Sequence, residues 1–502
     1  MMPMNSNEAW GYIQSRLPYR RRAEVSAAMC HEPAGPPAFL RWRPGAVFRL
    51  CLLFVLAFAL VHEAGACADG GNPNQCAGGD PAAASSPATP SGVKNPIHVV
   101  TGNKYQREVD HAPYGVSVRL APVLIRHYNS HNTTTVTGFG VGWTTTYDAL
   151  LGVINRAERQ IVQSDGRRMV FRRRGNSARF DAVRPTDGYV EQHGEGHTWV
   201  LPDGRRLRFN HRGRLERISA PDGSVLHVVY DQDGRLSLVR DGRGRTLKFQ
   251  WYGQSRLARF GTDGFEAHEI AGRIAAVTLP DGSVVRYHYT GDGDVSQVTW
   301  PDGRRRRYHY EDDRHPHALT GITDETGRRY ATWGYDEQGR AIYTQKAGGA
   351  ERVNLEYHVP ADWSERGRTV VTDSLGRTTV YTWRRYIHEG ISLLLSAEGP
   401  GCNDCPAGNR RYEYNDRFQL IAVHYPGGIT ERREYDGRGR LVRVVREAAD
   451  GTTETAVRYE YRGESWRPVA VVRPSVNPAG EHRVELEYTA SGRPRVISEG
   501  NS

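Results

Sequence analysis

Three short stretches of this 502-residue chain bring together residue types that can do chemistry. Asp312-Asp313-Arg-His315-Pro-His317 sets two carboxylates and two imidazoles within six residues, a donor set suited to a divalent transition metal. Cys402-Asn-Asp-Cys405 has the spacing of a redox pair or of half a zinc site. Gly334-Tyr335-Asp336-Glu-Gln-Gly339-Arg340 places a phenol, a carboxylate and a guanidinium side by side. Each has a plainer reading. A Pro-bearing polar loop fixes no ligand geometry, so Asp312, Asp313, His315 and His317 are weak metal candidates. The cysteines sit in GPGCNDCPAG, with no helix to lower a thiol pKa and no second CxxC, which favours a local disulfide clip. The tyrosine–aspartate stretch is decided by the rest of the chain.

That stretch recurs. Tyr230-Asp231-Gln-Asp-Gly234-Arg235 and Tyr435-Asp436-Gly-Arg-Gly439-Arg440 match it, and degenerate copies begin at Tyr289, Tyr414 and Tyr488. Between them Pro-Asp-Gly occurs at Pro202, Pro221, Pro280 and Pro301, spaced by 19, 59 and 21 residues, which fits a unit of roughly twenty residues. Both are turn chemistry. Proline presets φ at the first corner, aspartate bonds the local backbone, and glycine accepts the left-handed position of a hairpin loop. The intervening segments alternate as strands do. In Ser283–Tyr289, Val285, Tyr287 and Tyr289 share one face while Val284, Arg286 and His288 share the other. An active site would not be copied six times, whereas a hairpin would.

The elements around these turns are therefore strands, and no helical periodicity follows the amino-terminal region. At 502 residues the chain exceeds one compact core and reads as several domains or an elongated array. The net charge of +10 raises the question of nucleic acid. Only Lys94, Lys104, Lys248 and Lys346 are lysines, and the arginines are spread evenly beside Asp-Gly turns. That pattern argues for ion-paired strand faces and against a DNA-binding face. Gly-Arg-Gly-Arg at 242–245 and 437–440 lacks a strand–helix context and reads as a tight turn. No Gly-x-Ser-x-Gly elbow or His-supported cysteine is present, so no catalytic residue and no cofactor is assigned.

The amino end reads as targeting. Leu50 to Val61 is a run of twelve apolar residues preceded by Arg41, Arg43 and Arg49 and followed by Ala64-Gly65-Ala66 and Ala66-Cys67-Ala68. That is the layout of a signal peptide over 41–67, which makes residues 1–40 an unusually long leader. Ala64-Gly65-Ala66-Cys67 is also a weak lipoprotein-type site, so membrane attachment would come only through this segment. Residues 68–94 are a Gly/Pro/Ala/Ser linker. Export predicts an oxidising compartment (periplasm, cell surface or medium), where Cys67, Cys76, Cys402 and Cys405 are available for disulfides.

Tyr-Asp-x-x-Gly-Arg at this spacing resembles the YD repeat of Rhs proteins, wall-associated proteins and teneurins. Tyr308 to Ala341 looks like a typical Rhs segment. Upstream, Asn95-Pro-Ile-His-Val-Val-Thr-Gly-Asn-Lys-Tyr105, Arg126-His-Tyr-Asn-Ser130, Gly138-Phe-Gly-Val-Gly-Trp143 and Asp165-Gly-Arg167 are similar to the domain that precedes the repeats in that family. The resemblance covers residues 95–495. It implies an all-β fold: stacked antiparallel hairpins forming a long curved sheet or partial hollow shell, preceded by a β-rich cap. Residues 95–180 would be that amino-terminal domain and 181–502 the repeats. In such families the shell encloses a carboxyl-terminal toxin released by a core segment with an Asp-Pro motif. Here the only Asp-Pro is Asp80-Pro81, so the shell carries over and the self-cleavage does not. The expected function is an exported, non-enzymatic shell that encloses or displays a protein partner, as a truncated or split part of a polymorphic toxin. The alternative is a cell-surface or cell-wall module that binds carbohydrate through exposed tyrosine and tryptophan.

Overall fold

The computed structural model describes residues 92–93, 97–113, 120–133, 136–260, 265–400, 409–474, 480–489 and 494–501. The signal segment, the linker up to residue 91, Cys67, Cys76, Cys402 and Cys405 lie outside them.

Each Tyr-Asp-x-x-Gly-Arg copy closes a hairpin in the way its residues require. In the Asp336 turn the backbone N–H of Asp336 donates to the Arg340 carbonyl and that of Gly339 to the Asp336 carbonyl, both at 3.0 Å. Asp336 Oδ1 accepts the Arg340 N–H at 2.9 Å, and Oδ2 accepts its guanidinium Nε at 2.7 Å. Gly339 has φ of +73°, which a side chain would strain. Asp231 with Arg235 and Asp436 with Arg440 repeat both carboxylate contacts.

The tyrosine and arginine do more than pack. The hydroxyl of Tyr357 donates to the Ala341 carbonyl at 2.7 Å, and Arg340 lies 5.0 Å over the Tyr357 ring. Tyr461 does the same to the Leu441 carbonyl under Arg440, and the indole N–H of Trp251 to the Leu236 carbonyl under Arg235. Each turn arginine thus holds its own aspartate and covers the aromatic of the next hairpin. That aromatic in turn hydrogen-bonds the carbonyl just past the arginine. The staple joins neighbouring hairpins and adds cation–π attraction to burial.

These hairpins form one antiparallel sheet in chain order from Leu150–Asn155 to Pro494–Asn501. One hairpin, Arg256–Phe260 with Glu266–Glu269, is set aside, so Thr246–Trp251 pairs directly with Ile274–Thr278. The sheet starts inside the segment read as the 95–180 domain, which supplies both a separate three-stranded piece and the first sheet strands. Among the described residues the terminal strands pair with their neighbours and not with each other, so the sheet is curved and not closed into a barrel.

The curvature has a repeated cause. The register shifts by one residue immediately before Tyr230, Tyr289, Tyr335, Tyr414, Tyr435 and Tyr461. A bulge increases local twist, and one at the same place in each repeat bends the strip consistently. The strip meets itself as a result. Arg168 donates to the Ile387 and His388 carbonyls, Arg172 pairs with Glu389 at 3.2 Å, and Arg467 donates to the Asp203 carbonyl at 2.8 Å. The first strand is guarded by the turn at Asn210–Arg214, where the Leu151 N–H donates to the Gly213 carbonyl at 2.7 Å. A covered edge is what an open sheet needs against unwanted pairing.

Tyr335→Phe removes a 2.7 Å hydrogen bond to the Leu319 carbonyl in the core and should lower stability by about 1–2 kcal/mol in chemical denaturation. Gly334→Val should cost more, because its Cβ would lie 2.1 Å from the Tyr343 ring that covers Gly334 across the ladder. A Gly334→Val variant as stable as the parent would show that this close approach does not matter.

Candidate functional site

The amino-terminal domain packs on the face of the sheet that carries the repeat tyrosines. Its three-stranded piece is Tyr105–His111, Leu124–Asn129 and Trp143–Thr145. The middle strand is buried at all six positions because both of its faces are covered.

At the centre is Arg126. Its Nε is 2.5 Å from Asp110 Oδ2 and its Nη2 is 3.0 Å from Oδ1, with both side chains fully buried. The Tyr287 hydroxyl donates to Asp110 at 2.8 Å, and Arg126 donates to the Tyr308 hydroxyl at 2.9 Å. The rings of Phe139, Trp143, Tyr287 and Tyr308 surround the guanidinium at 4.8–5.7 Å. Burial alone would discourage the charge, but Asp110 more than offsets it and holds Arg126 firmly protonated. Burial likewise raises the Tyr287 and Tyr308 hydroxyls well above the ordinary range, so they stay neutral. Lys104, also buried, sits 4.0 Å over the Trp333 ring and donates to Gln106 at 2.9 Å. Two basic side chains of the cap thus enter aromatic pockets of the sheet, and burial holds the Lys104 pKa well below its usual range. Closed to solvent, this arrangement can hold the domain in place.

A second anchor occupies the degenerate copy at Tyr289. Where the full copies carry arginine, this turn ends in Asp294, which is fully buried. Its Oδ1 accepts the Val141 N–H of the cap at 2.8 Å, and its Oδ2 meets His317 Nδ1 at 2.5 Å. The Asp294 hydrogen bond raises the His317 pKa.

That contact takes one donor away from the weak metal candidates Asp312, Asp313, His315 and His317. Asp312 is held by Arg314 at 2.7 and 2.9 Å, Asp313 is exposed, and His315 Nε2 is 2.7 Å from the Asp336 carbonyl. With His317 on Asp294, three of the four donors hold separate partners and Asp313 faces solvent. Among the described residues no three His, Cys, Asp or Glu side chains are grouped to hold a metal. The loop is a clamp on the Asp294 and Asp336 turns. A cleft of about 500 Å³ beside it is lined by Glu311, Asp312, Arg329 and Tyr343, but both its arginines are already paired, Arg329 to Glu311 and Arg314 to Asp312.

Three of the four arginines at 304–307 are paired as well. Arg304 meets Asp302, Arg306 meets Glu108 and Glu325, and Arg307 meets Gln297. Among the described residues no aromatic side chain is exposed, although several are half-buried. The anchors Arg126, Asp110 and Lys104 escaped the sequence reading because nothing in their spacing marks them. Asp294 left a legible signal, a carboxylate at the arginine position of a repeat.

A sheet of stapled hairpins with its own amino-terminal domain packed on one face defines a capped repeat protein. Family models name both parts: residues 94–171 match a domain of unknown function, DUF6531, and residues 271–305 match the RHS repeat. The chain thus contains an RHS repeat and, ahead of it, the Rhs-associated domain DUF6531. No curated protein matches it. Among solved structures it is similar to the TcdB2-TccC3-TEV crystal structure, at 10% identity and a TM-score of 0.32, over 84% of this chain and 27% of that one. The Tc holotoxin pore of Photorhabdus luminescens matches at 12% identity and a TM-score of 0.23, over 76% of this chain and 23% of that one. The chain therefore spans about a quarter of the length of these structures.

Asp110→Asn leaves Arg126 charged and without its carboxylate in the core, and should cost about 3–5 kcal/mol in thermal or chemical unfolding. Asp110→Leu with Arg126→Met removes both charges and should recover most of that loss. Equal damage from the single and double variants would show that packing, and not the charge pair, holds the cap.

Proposed function

We propose that this chain is an exported, non-enzymatic RHS shell protein whose capped face continues into a seat for a polypeptide partner. One observation carries the reading. Followed across paired registers, the face bearing Trp333, Val371, Tyr381, Tyr412 and Val423 is buried, and the contiguous apolar core ends at Val423. Past the Glu431–Arg433 ion pair and Val444, the same face runs on through Val457, Tyr459, Val471, Val484 and Leu486, which are only half-buried. An apolar sheet face with no layer against it is a protein-docking surface in general terms. The match to the RHS repeat supports a shell, and the hydrogen-bonded, solvent-excluded cap site supports a holding role.

A photo-crosslinking residue at Val457 or Val484 of the full chain should capture the polypeptide encoded directly after it, whereas one at Arg443 or Glu485 on the opposite face should not. Saturable glycan binding with no such crosslink would favour the cell-wall carbohydrate reading and overturn this one. Export is supported by the apolar run at Leu50–Val61 behind three arginines. Fractionation and amino-terminal sequencing should find a mature chain starting close to Ala68 outside the cytoplasm. An intact cytoplasmic chain would refute export.

A further inference from the structure

Three imidazoles lie in the cap where it meets the sheet, and the charges around them are mostly positive. His98, His127 and His131 are all buried. His98 Nδ1 accepts the Thr101 backbone N–H at 3.3 Å, which requires that nitrogen to be unprotonated. His131 Nε2 is 3.2 Å from the Gly339 carbonyl, on the turn that the sheet presents to the cap. His127 Nδ1 is 2.7 Å from the Tyr105 hydroxyl, and its Nε2 is buried with no partner among the described residues.

The groups facing them come from several elements. Arg385, itself buried on the strand Thr378–Tyr386, faces both His98 and His131. Arg340 faces His131 from the turn, paired to Asp336, and His315 contacts the same turn from the other side. Arg107 faces His127 from the strand Tyr105–His111. Lys104 and Glu108 lie along that strand, with Glu108 taken up by Arg306. The His317–Asp294 pair acts in the opposite sense, since acid strengthens it.

We propose that this interface is an acid-sensitive latch: protonation of His98 and His131 beside Arg385 releases the amino-terminal domain from the repeat sheet while the sheet stays folded. A proton on each ring would set three cations together out of water. It would also cost His98 its acceptor role toward Thr101, which helps fix the loop that carries Gly102 against Arg340.

Burial first, and Arg385 next, push His98 and His131 down to about 3, and burial with Arg107 does the same to His127. Unfolded or released, each ring would titrate near its ordinary value of 6.5. The docked state therefore binds fewer protons between about 3 and 6.5, and docking weakens as pH falls through that window. His317, raised by Asp294, contributes most at low pH and loses that contribution as pH rises, so it does not drive release. The latch is independent of what the sheet holds, so its test does not depend on the partner.

Hydrogen–deuterium exchange on the full chain, corrected for the intrinsic rate, reads the two parts separately. Acidification should expose peptides from 97–113 and 120–147 before those from 150–250. His98→Asn with His131→Gln keeps an acceptor and a donor where the rings have them, and should lower the pH of cap exposure by about one unit. His424→Gln, a ring paired to Glu413 away from the cap, should not. If the double variant is not folded at pH 8 by circular dichroism, Arg385→Gln serves in its place and should move the midpoint the same way. Cap and sheet opening together, or an unmoved midpoint, overturns the latch.

Discussion

Tyr357, Trp251 and Tyr461 each donate a hydrogen bond to a backbone carbonyl one hairpin back, beneath the arginine that closes the previous turn. The rest of the molecule depends on that contact. A hairpin alone cannot bury its apolar face, so each needs a fixed relation to the next. The staple supplies it with three groups of the repeat: the aspartate orients the arginine, the arginine covers the ring, and the ring finds the carbonyl. The bulges that precede Tyr230, Tyr289, Tyr335, Tyr414, Tyr435 and Tyr461 then bend the strip in a constant direction.

Bending creates the need for a cap. A curved sheet with an apolar inner face must bury that face against something, and from Ile274 to Trp383 it does so against the amino-terminal domain. The anchors are polar groups set in aromatic surroundings: Arg126 with Asp110 among four rings, Lys104 over Trp333, and Asp294 between Val141 and His317. Such groups are costly when mispaired, so they favour one docked arrangement over others of similar apolar area. The interface is therefore specific, and the buried imidazoles make it sensitive to protons. Among the described residues the contiguous apolar core ends at Val423.

The turns were legible because turn chemistry is local. Aspartate, glycine and arginine act within five residues, so Asp336, Gly339 and Arg340 hold the places that spacing assigns them. Strand alternation was legible for the same reason, and Val285, Tyr287 and Tyr289 do share the buried face. The weak metal candidates Asp312, Asp313, His315 and His317 stand apart because spacing brings donors near in sequence without saying what else stands nearby. Arg314, Asp294 and the Asp336 carbonyl claim them instead.

By itself the sequence determined the repeating unit, its all-β character and the family it resembles, because each follows from interactions spanning a few residues. Only the tertiary structure decided which repeat departs to receive the cap, where the bulges fall, and that Arg126 and Asp110 meet Tyr287 and Tyr308 about 180 residues away. These depend on the summed curvature of many hairpins. No single hairpin contains it, and it exists only once the strip has closed back on its own amino-terminal domain.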